Sequence, residues 1–335
     1  AVTAETSQAK SNLDKAYELA PEDLDVILSM AAFAINEKNF DRADELLDQA
    51  VKSDPKRQEV YFRLAQLAAA KNDPKSGIEQ LKKGVEQADQ VQLILPMLLN
   101  LQLAAGDLDG ARETCDEMDE RDDFPATFLR FSRARILYAE KDYWGASREL
   151  EAVRPAFLRS EYAAEYLPRL EALLSACYES LRLHDRQLEV ARRVLQSNAG
   201  QANARLNEAF ALQRLGRYEE ALTSIDFILS NVEQFPGLRL PLFQLLTTDQ
   251  LRRPKEQRDW SLVEKIVQGL YADPERTDID NAILKGELLL AQGRLDEALS
   301  VLGDARRKDP KDLRVSQSLA KLLHRMDRSD RVGSL

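Results

Sequence analysis

Arginine and aromatic side chains are concentrated in the middle of the chain, and these residue types are suited to binding a partner rather than to catalysis. Phe128, Phe131, Arg135 and Tyr138 follow one another at intervals of three, four and three residues, so a helix places all four on one face. The planar guanidinium of arginine suits a carboxylate or a phosphate, and aromatic rings beside it favour a binding hot spot. Because a stripe at helical spacing is more often part of a core, we expect Phe131 to pack internally and Arg135 and Tyr138 to face solvent.

The residue types that usually carry catalysis are scarce. The chain has two histidines, His184 and His324, and neither has a potential catalytic partner nearby in the sequence. Its two cysteines, Cys115 and Cys177, lie in apolar helical patterns that are typical of buried thiols. The sequence contains no metal-ligand spacing, phosphate-binding loop or serine-hydrolase motif. It therefore predicts a protein that is not an enzyme and that has no metal or cofactor site.

The net charge of −10 restricts the kinds of partner. The first third of the sequence is strongly acidic, whereas residues 126–218 carry an excess of arginine. Many of these arginines are expected to be solvated on outer helix faces, beside Glu149, Glu151, Glu179 and Glu189. The acidic total disfavours RNA binding by the arginine-rich middle third, which we keep as a third hypothesis.

The composition is that of a water-exposed protein rather than a membrane-spanning one. The 335 residues are 44% hydrophobic and 31% charged. The longest apolar run is interrupted by Pro96, Asn100 and Gln102 and is shorter than the roughly 20 residues that a membrane span needs. The cysteines give no disulfide framework, which favours the cytoplasm without fixing the compartment.

The elements that carry these side chains follow a repeat of 34 residues. Aligning residues 43–55 on residues 9–21 superposes alanine, leucine and proline positions at that offset. Gly106, Gly216 and Gly293 occupy turn positions, where a left-handed residue ends a helix. Small residues also recur twelve apart, at Ala31/Ala43, Ala65/Gly77, Ala134/Ala146, Ala209/Ala221 and Gly286/Ala298. Two antiparallel helices approach closely only at small residues, so the pattern predicts stacked helix pairs.

These features resemble the tetratricopeptide repeat. The Gly-x-Tyr-x-x-Ala turn at Gly216, Tyr218 and Ala221, together with closing prolines such as Pro55, completes the similarity. The resemblance implies an all-α fold, a right-handed α-solenoid (superhelix) of about eight antiparallel helix-turn-helix repeats in a single array over residues 1–330.

The repeats can be placed along the array from the same pattern. We expect them at 24–57, 58–91, 92–126, 127–167, 168–201, 202–235 and 279–312. Residues 1–22 are expected to form the second helix of a truncated repeat, and residues 236–278 an irregular helix pair. We expect a closing helix at 313–328 and a disordered tail at 329–335.

The resemblance also implies where a partner binds. In this family the first helix of each repeat lines a concave groove. That face here holds the candidate partner-binding residues Phe128, Arg135, Tyr138, Arg169, Asn203, Asn207, Phe210 and Arg214. Asn203 and Asn207 lie four residues apart and can hold a peptide backbone through their side-chain amides. Positions that bind acidic chaperone tails in related proteins are occupied by residues such as Leu28 and Phe62, so binding of such tails is not expected.

The leading hypothesis is a protein–protein interaction scaffold or adaptor that binds a peptide or segment of another protein, such as an acidic segment, in the groove. The alternative is a regulatory or scaffolding arm of a larger polypeptide with an upstream enzymatic or sensing domain, since the array begins in mid-repeat. The half-repeat at residues 1–20 is also expected to offer an edge for self-association.

Overall fold

Helices are the regular structure throughout the described part of the chain. The computed structural model describes residues 2–121, 123–274 and 276–326, and these form eighteen α-helices and two short 3₁₀ helices, without a strand. The prediction of an all-α fold is confirmed. In the same residues, no helix combines the length and the hydrophobicity that crossing a membrane requires. The tail expected at 329–335 lies outside the described residues.

The first of two compact units spans Ala1–Leu181. Its described residues form α1 (Val2–Leu19), α2 (Leu24–Asn36), α3 (Phe40–Ser53), α4 (Gln58–Ala70), α5 (Pro74–Gln87), α6 (Ile94–Ala105), α7 (Leu108–Asp119), α8 (Ala126–Ala139), α9 (Tyr143–Phe157) and α10 (Ala163–Ser180). Each helix packs against the next, and first helices such as α2 and α4 also pack against each other. The unit is therefore an α-solenoid in which neighbouring helix pairs share a core.

The second compact unit spans Arg182–Leu335. Its described residues form α11 (His184–Ser197), α12 (Ala202–Arg214), α13 (Tyr218–Ser230), α14 (Arg239–Arg252), α15 (Ser261–Tyr271), α16 (Asp278–Gln292), α17 (Leu295–Lys308) and α18 (Leu313–Arg325), with 3₁₀ helices at Pro236–Leu238 and Lys255–Gln257. The same stacking of helix pairs makes this unit an α-solenoid as well. The continuity of one right-handed array over residues 1–330 stays a prediction.

The small residues spaced twelve apart lie where paired helices cross. Ala31 on α2 and Ala43 on α3 are both fully buried. A Cβ atom on Gly286 would lie 2.7 Å from the side chain of Leu302, so α16 and α17 approach too closely there for a larger residue. The close approach of paired helices predicted at Gly286 is confirmed.

A left-handed residue ends the first helix of most pairs. Gly106, Gly216 and Gly293 have φ angles of 74°, 74° and 81°, as the sequence predicts. The equivalent turns without glycine place other residues in the same region, at Lys38, Asn72, Lys141 and Arg182. The residue after the left-handed one is the N-cap residue of the second helix. After Lys141, for example, the Asp142 carboxylate accepts a hydrogen bond from the Gly145 backbone N–H at the start of α9.

The connection inside the irregular pair at 236–278 is built differently. Between α14 and α15 the chain forms the short 3₁₀ helix Lys255–Gln257. The guanidinium of Arg258 donates hydrogen bonds to the backbone carbonyls of Leu251 and Arg253. This connection is longer than the left-handed turns of the other pairs, and side-chain hydrogen bonds stabilise it.

The start of α10 determines which residues reach the groove described below. α10 begins at Ala163 and has 18 residues. The sequence placed residues 161–167 at the end of the repeat 127–167. In the structure, residues 161 and 162 precede α10, and residues 163–167 are the first residues of α10. Tyr166 belongs to the same helix as Arg169 as a result.

Candidate partner-binding groove

Helices α6, α8 and α10 of the first unit line a groove of about 1030 Å³. The side chains that line it are Pro96, Asn100, Leu103, Ala104, Phe128, Phe131, Arg135, Tyr138, Ala139, Glu165, Tyr166, Arg169, Ala172, Leu173 and Ala176. Of the candidate residues predicted from the sequence, the groove brings together Phe128, Arg135, Tyr138 and Arg169. We call this feature the α8 groove.

The α8 face divides into a packing part and a lining part. Phe131 is only 4% exposed, so it packs internally as expected. Phe128, Arg135 and Tyr138 are half-buried and line the α8 groove. Arg135 and Tyr138 were expected to face solvent, but they are only partly exposed. The reason is that α10 shields them from one side.

Tyr166 on α10 is the centre of an aromatic cluster at one end of the groove. Its ring stacks on Phe157 with centroids 5.3 Å apart, and it meets Phe128 and Phe131 edge-on, each at 5.9 Å. Tyr162 meets the same ring edge-on at 6.5 Å. Contacts of this kind favour one arrangement of the rings, which form an apolar surface at this end of the groove.

Arg135 is the cation that the groove leaves without a counter-ion. No carboxylate in the described part of the chain forms an ion pair with its guanidinium. Burial lowers the pKa of Arg135, and the nearby positive charge of Arg169 lowers it further. Because a partly dehydrated charge without a partner is unfavourable, an anion that entered the groove would gain more here than at an exposed arginine.

Arg169 has partners of its own but keeps most of its surface in water. Its guanidinium lies 5.7 Å from the centre of the Tyr166 ring and 3.4 Å from a carboxylate oxygen of Glu165. The Arg169 side chain is 62% exposed, so this ion pair is weak and its guanidinium is available to a second anion.

Tyr138 marks the other end of the groove. Its ring lies edge-on to Tyr143 with centroids 5.4 Å apart. Burial raises the pKa of its phenol, which therefore stays protonated near neutral pH and can donate a hydrogen bond.

The other four predicted residues lie on α12 of the second unit and do not line the α8 groove. Asn203 and Arg214 are exposed, whereas Asn207 is half-buried. Asn203 borders a separate hollow of about 440 Å³. Phe210 packs against the core of its own unit, so its ring has a structural role.

Other arginines of the middle third do form ion pairs, as the solvated-face interpretation predicts. Arg130 contacts Glu149 at 3.1 Å, and Arg186 contacts Glu189 at 3.0 Å. These pairs are exposed or partly exposed and contribute little to binding or stability. Their pairing distinguishes them from Arg135.

The described residues show no cluster of side chains that could bind a metal ion. In residues 2–121, 123–274 and 276–326 no group of three or more His, Cys, Asp or Glu side chains could hold a metal ion. Cys115 and Cys177 are buried and free, and burial raises the pKa of Cys177 to about 11. His184 contacts Gln187 on its own helix, with 3.4 Å between its Nδ1 atom and the amide oxygen.

Family models of the tetratricopeptide repeat match four segments of the sequence. One matches residues 5–61 and 37–95, and another matches residues 202–226 and 282–304. The segments fall in both compact units, on the helix pairs described above. The chain contains tetratricopeptide repeats in both compact units. Tetratricopeptide repeats generally form scaffolds for protein–protein interaction, without catalytic activity, and the fold of this chain is of that kind.

Solved structures resemble the chain in fold at low sequence identity. The apo form of RapI is 14% identical with a TM-score of 0.58, covering 92% of this chain and 95% of that one. A tetratricopeptide repeat protein from Parabacteroides merdae is 11% identical with a TM-score of 0.51, covering 89% of this chain and 98% of that one.

The Cut9–Hcn1 hetero-tetramer of the APC/C provides a third similar structure. It is 12% identical to this chain with a TM-score of 0.53, covering 72% of this chain. This chain spans only 46% of the matched chain's length. Curated proteins gave no match. At these identities the similarity establishes the fold alone.

Proposed function

We propose that this protein is an adaptor that binds a carboxylate-bearing segment of another protein in the α8 groove. The observation that carries the proposal is Arg135, a half-buried guanidinium with no counter-ion among the described residues, in a groove lined by aromatic rings. Arg135 is already partly dehydrated, so a carboxylate of the partner would form the hydrogen bonds that water no longer provides. The aromatic rings would contribute apolar contact area.

The geometry of the groove supports a segment rather than a small metabolite. The groove is open along one side of three helices, and apart from Arg135, Glu165 and Arg169 its ionisable groups are the phenols of Tyr138 and Tyr166. Enzyme and cofactor sites usually place several converging polar groups in an enclosed pocket. Extended apolar lining with a few charged positions is typical of peptide grooves.

Affinity capture from cell extract tests the proposal. We expect the parent protein to capture a defined partner, and the double variant Arg135→Gln/Arg169→Gln to lose it while keeping its circular dichroism spectrum and melting temperature. The matched control is Arg148→Gln/Arg159→Gln, which removes the same charge from exposed arginines outside the groove. Equal capture by all three proteins would contradict the proposal.

A further inference from the structure

The ionisable side chains of the α8 groove add up to one positive charge. Arg135 and Arg169 are cations and Glu165 is an anion, all lining the groove. Tyr138 and Tyr166 stay neutral, because burial raises the pKa of both phenols. One carboxylate on a ligand would therefore balance the groove, whereas a run of carboxylates would leave an excess of negative charge beside Glu165.

The aromatic and cationic side chains lie in the same order on both walls. On α8, Phe128 precedes Arg135 by seven residues, and on α10, Tyr166 precedes Arg169 by three. The Phe128 and Tyr166 rings touch across the groove at 5.9 Å, and Arg135 and Arg169 are close enough for each charge to act on the other. The groove thus has an aromatic part followed by a cationic part.

The separation of these two parts sets a spacing for the ligand. At a rise of 1.5 Å per helical residue, the aromatic and cationic side chains are about 5 to 10 Å apart along the helix axes. An extended peptide advances about 3.3 Å per residue, so it covers that separation in two or three residues.

The remaining lining supplies no further cation for additional negative charges. Apart from the charged side chains and the rings of Phe128, Phe131 and Tyr166, the lining consists of Tyr138, Asn100 and apolar side chains, namely Pro96, Leu103, Ala104, Ala139, Ala172, Leu173 and Ala176. A second carboxylate would lose its hydration there without gaining a cation, which is unfavourable. The rest of the groove therefore favours apolar side chains.

From this arrangement we infer that the α8 groove selects a segment with one carboxylate two or three residues from a large apolar side chain, and that it discriminates against acidic runs. The apolar side chain lies on the Phe128–Tyr166 surface, and the carboxylate lies between Arg135 and Arg169. The inference rests on the proposed function, because it assumes that the α8 groove is the binding site.

Fluorescence polarisation with designed peptides tests the inference. The reference peptide is labelled and blocked at both ends, and carries a phenylalanine and a glutamate three positions apart in an otherwise serine and alanine sequence, prepared in both orders. Its comparison peptides replace the glutamate with glutamine, place it seven positions away, replace it with phosphoserine, or extend it to four glutamates. All are titrated with the full chain.

The reference peptide is expected to bind about tenfold or more tightly than the glutamine peptide, since a hydrogen bond to a charged group contributes that much. It is also expected to bind more tightly than the widely spaced, phosphoserine and four-glutamate peptides. In Arg135→Gln the reference and glutamine peptides should bind equally. Arg148→Gln, an exposed arginine outside the groove, should preserve the full preference.

Other outcomes separate the inference from the proposed function. If the four-glutamate or phosphoserine peptide binds most tightly and Arg135→Gln abolishes that binding, the preference for one carboxylate is wrong but the groove remains the site. If no peptide binds while Arg135→Gln/Arg169→Gln loses the captured partner, the short motif is wrong and the proposed function stands. If no peptide binds and capture is unaffected by the variants, both are wrong.

Discussion

Individual polar residues are buried in this solenoid where the repeat pattern would place apolar ones. Glu208 on α12 accepts a hydrogen bond of 2.6 Å from the Ser224 hydroxyl and lies 3.2 Å from Arg192 Nε and 3.4 Å from Arg205. The Glu208 side chain is only 11% exposed, so its carboxylate depends on these partners for the hydrogen bonds that water would provide. One acidic side chain therefore connects α11, α12 and α13.

Replacing Glu208 with alanine should destabilise the second unit. We expect the free energy of unfolding to fall by about 1 to 3 kcal/mol, because the Ser224 hydroxyl and the two arginines lose a shared, mostly buried acceptor. Urea denaturation followed by circular dichroism measures the change. Glu219→Ala, an exposed glutamate on the neighbouring helix, is the control and should shift the midpoint little. Equal midpoints for the two variants would show that the Glu208 contacts contribute nothing.

The two cysteines should resist alkylation in the folded protein. Cys177 is fully buried, and the burial that raises its pKa to about 11 leaves the thiol protonated at pH 8. Burial also raises the pKa of Cys115. Iodoacetamide at pH 8 followed by mass spectrometry should label neither cysteine in native protein and both in guanidinium chloride. Labelling of native protein at the rate of a free thiol would contradict this packing.

At the scale of helices and turns, much of the structure was predictable from sequence because it depends on local spacing. The twelve-residue spacing identified Ala31 and Ala43 as buried positions on paired helices, and Gly106 identified a left-handed turn. The position of Tyr166 was not predictable in this way, because α10 starts before the repeat register would place it. The connection after α14 also follows no short-range rule, because Arg258 holds it by reaching back to carbonyls five and seven residues earlier.

The left-handed turn predicts opposite effects at glycine and non-glycine positions. Lys141 has a φ of 67°, so Lys141→Gly should relieve backbone strain and raise the free energy of unfolding by up to about 1 kcal/mol. Gly106→Ala should lower the free energy of unfolding by about 1 to 2 kcal/mol. Backbone strain would be the whole cause, because no atom lies within 4 Å of the added Cβ atom.

Thermal and urea denaturation of these turn variants test the prediction. Gly237→Ala is the matched control, because its Cβ atom also meets no atom within 4 Å and its φ is not in the left-handed region. It should be neutral or slightly stabilising. If Gly106→Ala and Gly237→Ala had the same effect, the left-handed conformation would not be the reason for glycine at position 106.

At the scale of the whole molecule, sequence periodicity predicted the fold class but only part of the candidate site. Phe128, Arg135, Tyr138 and Arg169 were identified by helical spacing and by the family's groove face, and they line one groove. The absence of a counter-ion for Arg135 could not be predicted, because it depends on where the carboxylates of neighbouring helices lie. The α12 residues Asn203, Asn207 and Arg214 stay a prediction for a second contact surface.

The charge of the whole molecule predicts that RNA does not bind. The net charge of −10 repels phosphate, and arginines such as Arg130 and Arg186 are already paired with glutamates. We expect the protein to pass through a poly-uridylate column at about 0.15 M salt, where the Debye length is about 8 Å. Retention that requires high salt for elution would support RNA binding and contradict this expectation.

Site-specific photocrosslinking in cells tests the central claim most directly. A benzophenone amino acid is placed at Leu173, which lines the α8 groove, or at Arg148, which is exposed outside it. If the groove is the binding site, irradiation should yield a discrete adduct with another protein from position 173 and none from position 148, and Arg135→Gln/Arg169→Gln should abolish it. Adducts from position 148 alone, or an adduct from position 173 that survives the double variant, would contradict binding in the α8 groove.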